Sequence, residues 1–415
     1  MALTFLMVLH GLMTALTGVL CFLCFFLLLE CIAALVPGAV QASSSVSSSR
    51  EPSLSCPSWQ TASLAVLMPA HNEAAGIAAV LGQLLPQLRQ TDRLVVVADN
   101  CTDETAAIAR ACGATVLERQ DGSCQGKGYA LNHGIDYLAQ DPPDVVVMLD
   151  ADSFVKLGAL RSLTETALAT QRPVQSAYMM TLPEGDAPIS LASRVGVFAT
   201  RIRNVVRLRG LTRLGLPVIL TGTGMAFPWS VLTTVDLASG SLVEDMKLGL
   251  DLVLAGYAPL FCAEAEVTAV LPRSSSAVAS QRKRWEHGRF QVMRWYLPLL
   301  LTAAVQQRRL GPLALAIDLC VLPLSLLVIL VVAALAVALT LASLSGFGLS
   351  AGLGSLALAA LSLAILLSWV KFGRQDLPVR QFALIPLFIL WKLPIYLTFF
   401  LKPQQKWIRT EREIL

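Results

Sequence analysis

The chain has 415 residues, more than one ordinary domain, and its 55% hydrophobic and 14% charged content is too apolar for a purely soluble protein. A formal net charge of +4 is modest, and no Lys/Arg run with interleaved aromatics argues for nucleic acid as a partner. The nine cysteines show no evident disulfide framework, and the one C-x-x-C, Cys21 with Cys24, lies in an apolar span without a second pair, so reduced thiols in a cytosolic setting are the simplest reading.

Residues 3–36 are almost unbroken apolar sequence, interrupted only by His10 and Glu30. That exceeds the roughly 20 residues needed to cross a bilayer. No Lys or Arg precedes the run, and it is about twice a signal-peptide core in length. An uncleaved membrane helix over residues 1–40 is therefore expected. "QASSSVSSSR" then begins a flexible Ser-rich linker over 41–61.

Residues 62–300 alternate short apolar strands (64–68, 94–98, 115–117, 145–149) with helical stretches (74–90, 102–111). The alternation implies a mostly parallel α/β sheet, in which ligands collect beyond the carboxyl ends of the strands. The conspicuous polar clusters fall there: "PAHNE" after the first strand, "DN" after the second and "DAD" after the fourth. Asp150 and Asp152 stand two apart and share a direction if the chain there is extended. Two like charges held together are costly unless something positive lies between them. A divalent Mg²⁺ or Mn²⁺ ion takes oxygen ligands and usually shares them with phosphates. An isolated D-x-D would more often be a solvated turn, so the rest of the chain has to decide.

"SLASRVGVFATRIRNVVRLRG" (190–210) places Leu191, Val195, Phe198, Ile202 and Val205 on one helical stripe, with Arg194, Arg201, Arg203, Arg207 and Arg209 around it. Such basic amphipathic helices lie on anionic membrane surfaces, and this is the reading favoured over a helix packed on the domain. Further on, 313–344 and 353–370 are long enough to span. Arg308 and Arg309 precede the pair, Lys371 and Arg374 follow it, and the connecting loop is uncharged. The positive-inside rule then puts the middle domain in the cytoplasm, in a multi-pass protein of the cell (inner) membrane. Segment 381–401 is apolar but carries Pro386 and Pro394, with basic residues on both sides. A re-entrant or interfacial element and a cytoplasmic C-terminus are expected.

Six stretches follow one another along the middle of the chain: "PAHNE" (69–73), "VVVADNCTDET" (95–105), "DAD" (150–152), "GTGM" (222–225), "VED" (243–245) and "QRKRW" (281–285). Together, over about residues 62–300, they resemble the membrane-embedded family 2 glycosyltransferases, the group containing cellulose, hyaluronan and chitin synthases. The resemblance implies a GT-A fold, α/β with a Rossmann-like and mostly parallel sheet, flanked by transmembrane helices. It implies inverting, metal-dependent transfer from a nucleotide-sugar, a UDP-sugar first, to a growing or lipid-linked glycan of an exopolysaccharide or cell envelope. Membrane lipid and polysaccharide-export proteins are the further partners that it suggests.

Carried over residue by residue, the resemblance makes Pro69, Glu73, Asp99, Lys127, Asp150 and Arg284 nucleotide contacts, and Asp150 and Asp152 the ligands of Mn²⁺ or Mg²⁺. It makes Asp245 the catalytic base and puts Gly222, Thr223, Gly224, Gln281 and Trp285 on the acceptor side. The residue chemistry agrees. A carboxylate beside an incoming hydroxyl takes its proton as the bond forms, Arg offers forked donors to a diphosphate, and Trp offers a flat face to a sugar ring. Lys127 stands between glycines that permit close backbone approach. Glu244 neighbours Asp245, and adjacent helical residues face apart, so only one should serve. Asp103 reads as the cap of the following helix before a ligand, Asn72 could also be a cap, and His287 reads as either a completing metal ligand or a bystander. The chain departs from the large cellulose synthases in having fewer membrane spans, which leaves open extension or priming of a lipid-linked glycan. A single-sugar transferase to polyprenyl phosphate is disfavoured by Q-R-K-R-W, and a non-catalytic nucleotide-sugar sensor or export subunit by the intact Asp150, Asp152 and Asp245.

Overall fold

The computed structural model describes residues 2–37, 58–183, 189–272 and 275–385. Most of the expected linker at 41–61 and of the expected segment at 381–401 lies outside the described residues, as does the C-terminus. The chain divides into two compact units. One comprises Met1–Gly38, Ala187–Leu214 and Ala316–Pro403; the other comprises Ala39–Asp186, Gly215–Leu315 and Gln404–Leu415.

In chain order the elements begin with α1 (Ala2–Leu35), β1 (Leu64–Ala70), α2 (Ile77–Leu84), β2 (Arg93–Asp99), α3 (Thr105–Ala111), β3 (Thr115–Arg119) and α4 (Lys127–Leu138). There follow β4 (Val145–Met148), β5 (Ser153–Val155), α5 (Ala159–Thr170), β6 (Val174–Thr181), α6 (Leu191–Arg201) and α7 (Arg207–Arg213). Next come β7 (Met225–Pro228), α8 (Trp229–Leu232), α9 (Glu244–Leu254), β8 (Leu260–Val270) and α10 (Ser275–Gln307). The last are α11 (Leu310–Cys320), α12 (Leu324–Ser345), α13 (Leu349–Ser368) and α14 (Val379–Phe382).

All eight strands form one sheet in the order β3-β2-β1-β4-β7-β6-β8-β5. β1 runs parallel to both β2 and β4, and β3 parallel to β2. β7 is antiparallel to β4 and β6, while β6 and β8 are again parallel. The central strands are unbroken apolar runs because both faces are covered: every residue of β4 is buried. On one face Ala65, Leu67, Val95, Val97, Val146 and Met148 pack with Ala130, Leu131, Ile135 and Leu138 of α4. The expected helix at 74–90 is shorter than its apolar pattern. α2 gives way to a tight turn at Leu85–Gln87, where Pro86 lacks the amide needed to continue an α-helix. Helix α3 starts at Thr105, whose amide and hydroxyl both donate to Asp103 Oδ1, so Asp103 is a cap-like residue as expected.

The other unit is helical. Leu6–Leu35, Leu324–Ser345 and Leu349–Gly373 are long and apolar enough to cross a membrane. The sequence predicted a single span at 313–344, which the structure corrects: α11 stops at Cys320 and α12 begins only after Pro323, whose backbone is extended at ψ 133°. The basic helix at 190–210 is corrected as well. It consists of α6, a π-helical stretch Ile202–Val206 and α7, and its stripe does not lie free. Phe198, Ile202 and Val206 share one core with Cys24, Leu27 and Cys31 of α1. Arg207 is buried, donating through Nε to Glu30 (2.7 Å) and through Nη2 to Asp318, and Arg201 pairs with Asp376 at 2.5 Å. Eight cysteines among the described residues are free thiols.

Candidate active site

The acids Asp150 and Asp152 do not continue a strand. β4 ends at Met148, and a turn closed by the Ser153 amide on the Asp150 carbonyl (3.0 Å) carries the chain into β5. Ala151 is buried while Asp150 and Asp152 remain half-exposed, all on a turn, where the sequence suggested extended chain. Opposite this turn stands Lys127, the first residue of α4. Its ammonium lies 2.6 Å from Asp150 Oδ1 and 3.7 Å from Glu244 Oε1, and donates to the Gly222 carbonyl at 2.5 Å. One cation thus joins the D-A-D turn, the G-T-G loop and the V-E-D acids. Burial works to lower the Lys127 pKa, but Asp150 and then Glu244 outweigh it and hold the ammonium charged beyond its usual range.

Glu244 and Asp245 open α9, where the helix N-terminus favours negative charge. They were expected to face apart. Both nevertheless line one cavity with Lys127, Gly128 and Met225. Asp245 Oδ2 lies 3.2 Å from where a β-carbon on Gly222 would sit, and Gly222 has φ +101°. A side chain at 222 would therefore meet both strain and the carboxylate. Burial pushes the Glu244 carboxyl up to about 7, Lys127 opposing the rise and Asp245 adding to it.

Thr223 was expected on the acceptor side. Its side chain is fully buried; its hydroxyl accepts from the Asp150 amide and donates to Ser153 Oγ, each at 3.0 Å. Gly224, beside it, has φ +65°.

At the end of β2, Asp99 is buried at 6% exposure and paired with Arg119 at 2.6 Å, and Asn100 Nδ2 also donates to it. Arg119 reaches Asp121 as well, at 2.9 Å. Arg119 escaped the sequence reading; its signal is the parallel register that sets Asp99 against Arg119. Pro69 sits within β1 opposite Val97, half-buried. Glu73 donates its amide to Thr105 Oγ1. Asn72, at φ +54°, exchanges side-chain bonds with Thr102 and does not cap α2, which starts at Ile77.

Helix α10 carries the Q-x-x-R-W residues. Gln281 is buried, whereas Arg284 and Trp285 are half-buried. Arg284 lies close enough to favour the charged form of Glu244, and its buried Nε has no hydrogen-bond partner among the described residues. α10 is fastened to α9 in two places. The Tyr296 hydroxyl donates to Asp251 Oδ1 at 2.6 Å, and a β-carbon on Gly288 would fall 2.8 Å from Val243 Cγ1. His287 is buried at 5% exposure. Among the described residues no group of three or more His, Cys, Asp or Glu could hold a metal ion by itself. Asp150 and Asp152, both half-exposed on one turn, suit Mg²⁺ or Mn²⁺, which are bound by one or two carboxylates together with substrate phosphates.

A sheet of this order, with the acid after β4 and those opening α9 meeting at one lysine, is a GT-A-type fold, and the chain is a glycosyltransferase. It belongs to the glycosyltransferase like family 2, whose model matches residues 62–288. The 4,4'-diaponeurosporenoate glycosyltransferase of Staphylococcus aureus (strain bovine RF122 / ET3-1) is 33% identical over 105 residues, covering 24% of this chain. The chain thus matches only 27% of that relative's length. Among solved structures, a mannosyltransferase from Pyrobaculum calidifontis in complex with GDP-Man and Mn²⁺ is similar in fold, with TM-score 0.51 and 18% identity over 88% of this chain and 99% of that one. The glucosyl-3-phosphoglycerate synthase of Mycobacterium tuberculosis, in complex with Mn²⁺, UDP and phosphoglyceric acid, matches at TM-score 0.38 and 23% identity, covering 56% of this chain and 78% of that one.

Proposed function

We propose that this chain transfers a sugar from a nucleotide-sugar, a UDP-sugar first, to a glycan or lipid-linked acceptor with inversion at the anomeric carbon. The observation that carries the reading is the Lys127 ammonium held between Asp150 and Glu244, beside Asp245. Asp150 and Asp152 would hold Mn²⁺ or Mg²⁺, which when bound neutralises the leaving diphosphate. Lys127 and Arg284 bind that diphosphate, and Asp99 with its partner Arg119 borders the place of the nucleoside. The acceptor hydroxyl attacks the anomeric carbon and its proton passes to Asp245. The carbon–oxygen bond to the diphosphate breaks with its electron pair on the leaving oxygen. Gly222, Gly224, Gln281 and Trp285 line the acceptor side.

We assign residues 62–300 to catalysis and the flanking apolar helices to a cell membrane. The basic residues at 308–309 and 371–374 support a cytoplasmic catalytic domain and an outward 346–348 loop. Labelling of a cysteine placed at 347 from the cytoplasmic side alone would reverse that orientation. Export of a polymer through partner proteins belongs to the same reading.

The relatives named for 4,4'-diaponeurosporenoate support a second reading, in which the acceptor is one carboxylate-bearing molecule and not a growing chain. Incubating the purified full chain with UDP- and GDP-sugars, with and without Mn²⁺, separates these possibilities. Transfer to added glycan or lipid-linked glycan acceptors supports the first reading, an ester of an apolar acid the second, and transfer to bare polyprenyl phosphate alone would count against both. Full transfer in excess chelator would remove the metal from either.

A further inference from the structure

We propose that Thr223, locked by Gln175, positions the D-A-D turn for the metal–diphosphate group and makes no acceptor contact. The inference rests on the metal-dependent reading above. In the antiparallel pairing of β4 with β7, Met148 faces Met225, and continuing that register by two residues sets 150 against 223. The Thr223 hydroxyl spends one lone pair on the Asp150 amide and its proton on Ser153 Oγ, both at 3.0 Å, so it grips the turn on either side of Asp152. Its side chain is 0% exposed and has no face toward an acceptor.

What fixes Thr223 is an equally buried amide from β6. Gln175 accepts from the Thr221 amide at 2.8 Å and donates to the Thr223 carbonyl at 2.9 Å, one bond on each side of Gly222. The Ser176 amide adds a bond to the Gly224 carbonyl at 2.8 Å. The loop that passes Asp245 on its open side therefore holds Asp150 on its closed side. Removing the Thr223 hydroxyl leaves the part-buried Asp150 amide without its acceptor, which frees the turn to move.

The test uses the detergent-purified full chain, with bound Mn²⁺ measured by electron paramagnetic resonance in the presence of UDP, and acceptor KM measured separately. Thr223→Val keeps the shape and loses the hydroxyl, so Mn²⁺·UDP binding should weaken roughly tenfold while acceptor KM stays put. Thr223→Ser should recover most of the loss. Thr223→Cys, with a weaker acceptor atom, covers the case in which valine does not fold, and should fall between the two. Wild-type Mn²⁺ binding in folded Thr223→Val or Thr223→Cys, or a raised acceptor KM in place of the metal defect, overturns the proposal and leaves the metal reading intact. Asp152→Asn is the separate control: if it binds Mn²⁺ with UDP as well as the wild type does, the metal reading itself fails.

Discussion

At the scale of single residues, two adjacent acids divide the work differently. Asp245 lies against the Gly222 gap, where an acceptor hydroxyl would arrive, and Glu244 lies toward Lys127. Asp245→Asn should therefore cut single-turnover transfer by about 10²–10⁴ with little change in UDP affinity. Wild-type transfer by this variant would move the base to Glu244. The Glu244 carboxyl, pushed up to about 7 by burial, makes a different prediction. Below that pH it is neutral and leaves the Lys127 charge free for a diphosphate; above it, the carboxylate competes. UDP affinity should fall as pH rises through about 7, and Glu244→Gln should flatten that step. The linked stability has the same sign. A carboxyl whose folded pKa is raised contributes fully below its unfolded value, and the contribution is lost as pH rises through the folded one. An unchanged pH profile in Glu244→Gln would assign the step elsewhere.

Among elements, the contact that matters most to the site is α10 on α9. Gly288 sits where a β-carbon would meet Val243 Cγ1 at 2.8 Å and Leu242 Cβ at 3.1 Å, directly before the V-E-D acids. Gly288→Ala should cost about 1–3 kcal/mol through overpacking and slow transfer by shifting Arg284 and Trp285. Thermal unfolding and kcat of Gly288→Ala, with and without Val243→Ala, check this: the second substitution makes room and should restore part of both. How legible these elements were follows from the range of the forces. Strands β1, β2 and β4 announce themselves as apolar runs, and the acids at their ends stand out against that background. Arg119 is hidden because its partner Asp99 is set by strand register, a non-local fact. The burial of Thr223 is hidden for the same reason, since its partners Asp150 and Ser153 lie on strands and turns distant in the chain. Asp150 and Asp152 were read as convergent on the wrong backbone, a turn having replaced extended chain.

For the molecule as a whole, the helical unit holds a charge cluster that periodicity could not reveal. Arg207 looks like one more cation on a basic stripe, yet it is buried with Glu30 and Asp318, at 6%, 0% and 4% exposure. Arg207→Met alone should destabilise by about 3–5 kcal/mol, because two buried carboxylates lose their counter-charge. Replacing Glu30, Arg207 and Asp318 together with Leu, Met and Leu should return most of that stability. Unfolding midpoints in detergent decide, and a harmless Arg207→Met would mean the cluster is wet. The spans themselves were legible from length and hydropathy, but the break before Pro323 was not, because the apolar run continues straight across it.

The three members of that cluster come from α1, α7 and the end of α11, far apart in the chain. A ribosome delivers them in that order. Glu30 emerges first and must wait for Arg207, while the strands β1–β6 are made in between. Arg207 must then wait for Asp318 until β7, β8 and α10 have followed. Closing loops of that length is slow compared with local helix formation. A nascent chain therefore carries this charge cluster incomplete until Asp318 has been made, and the window in which quality-control proteases or insertion chaperones would find it open is written into the order of its segments.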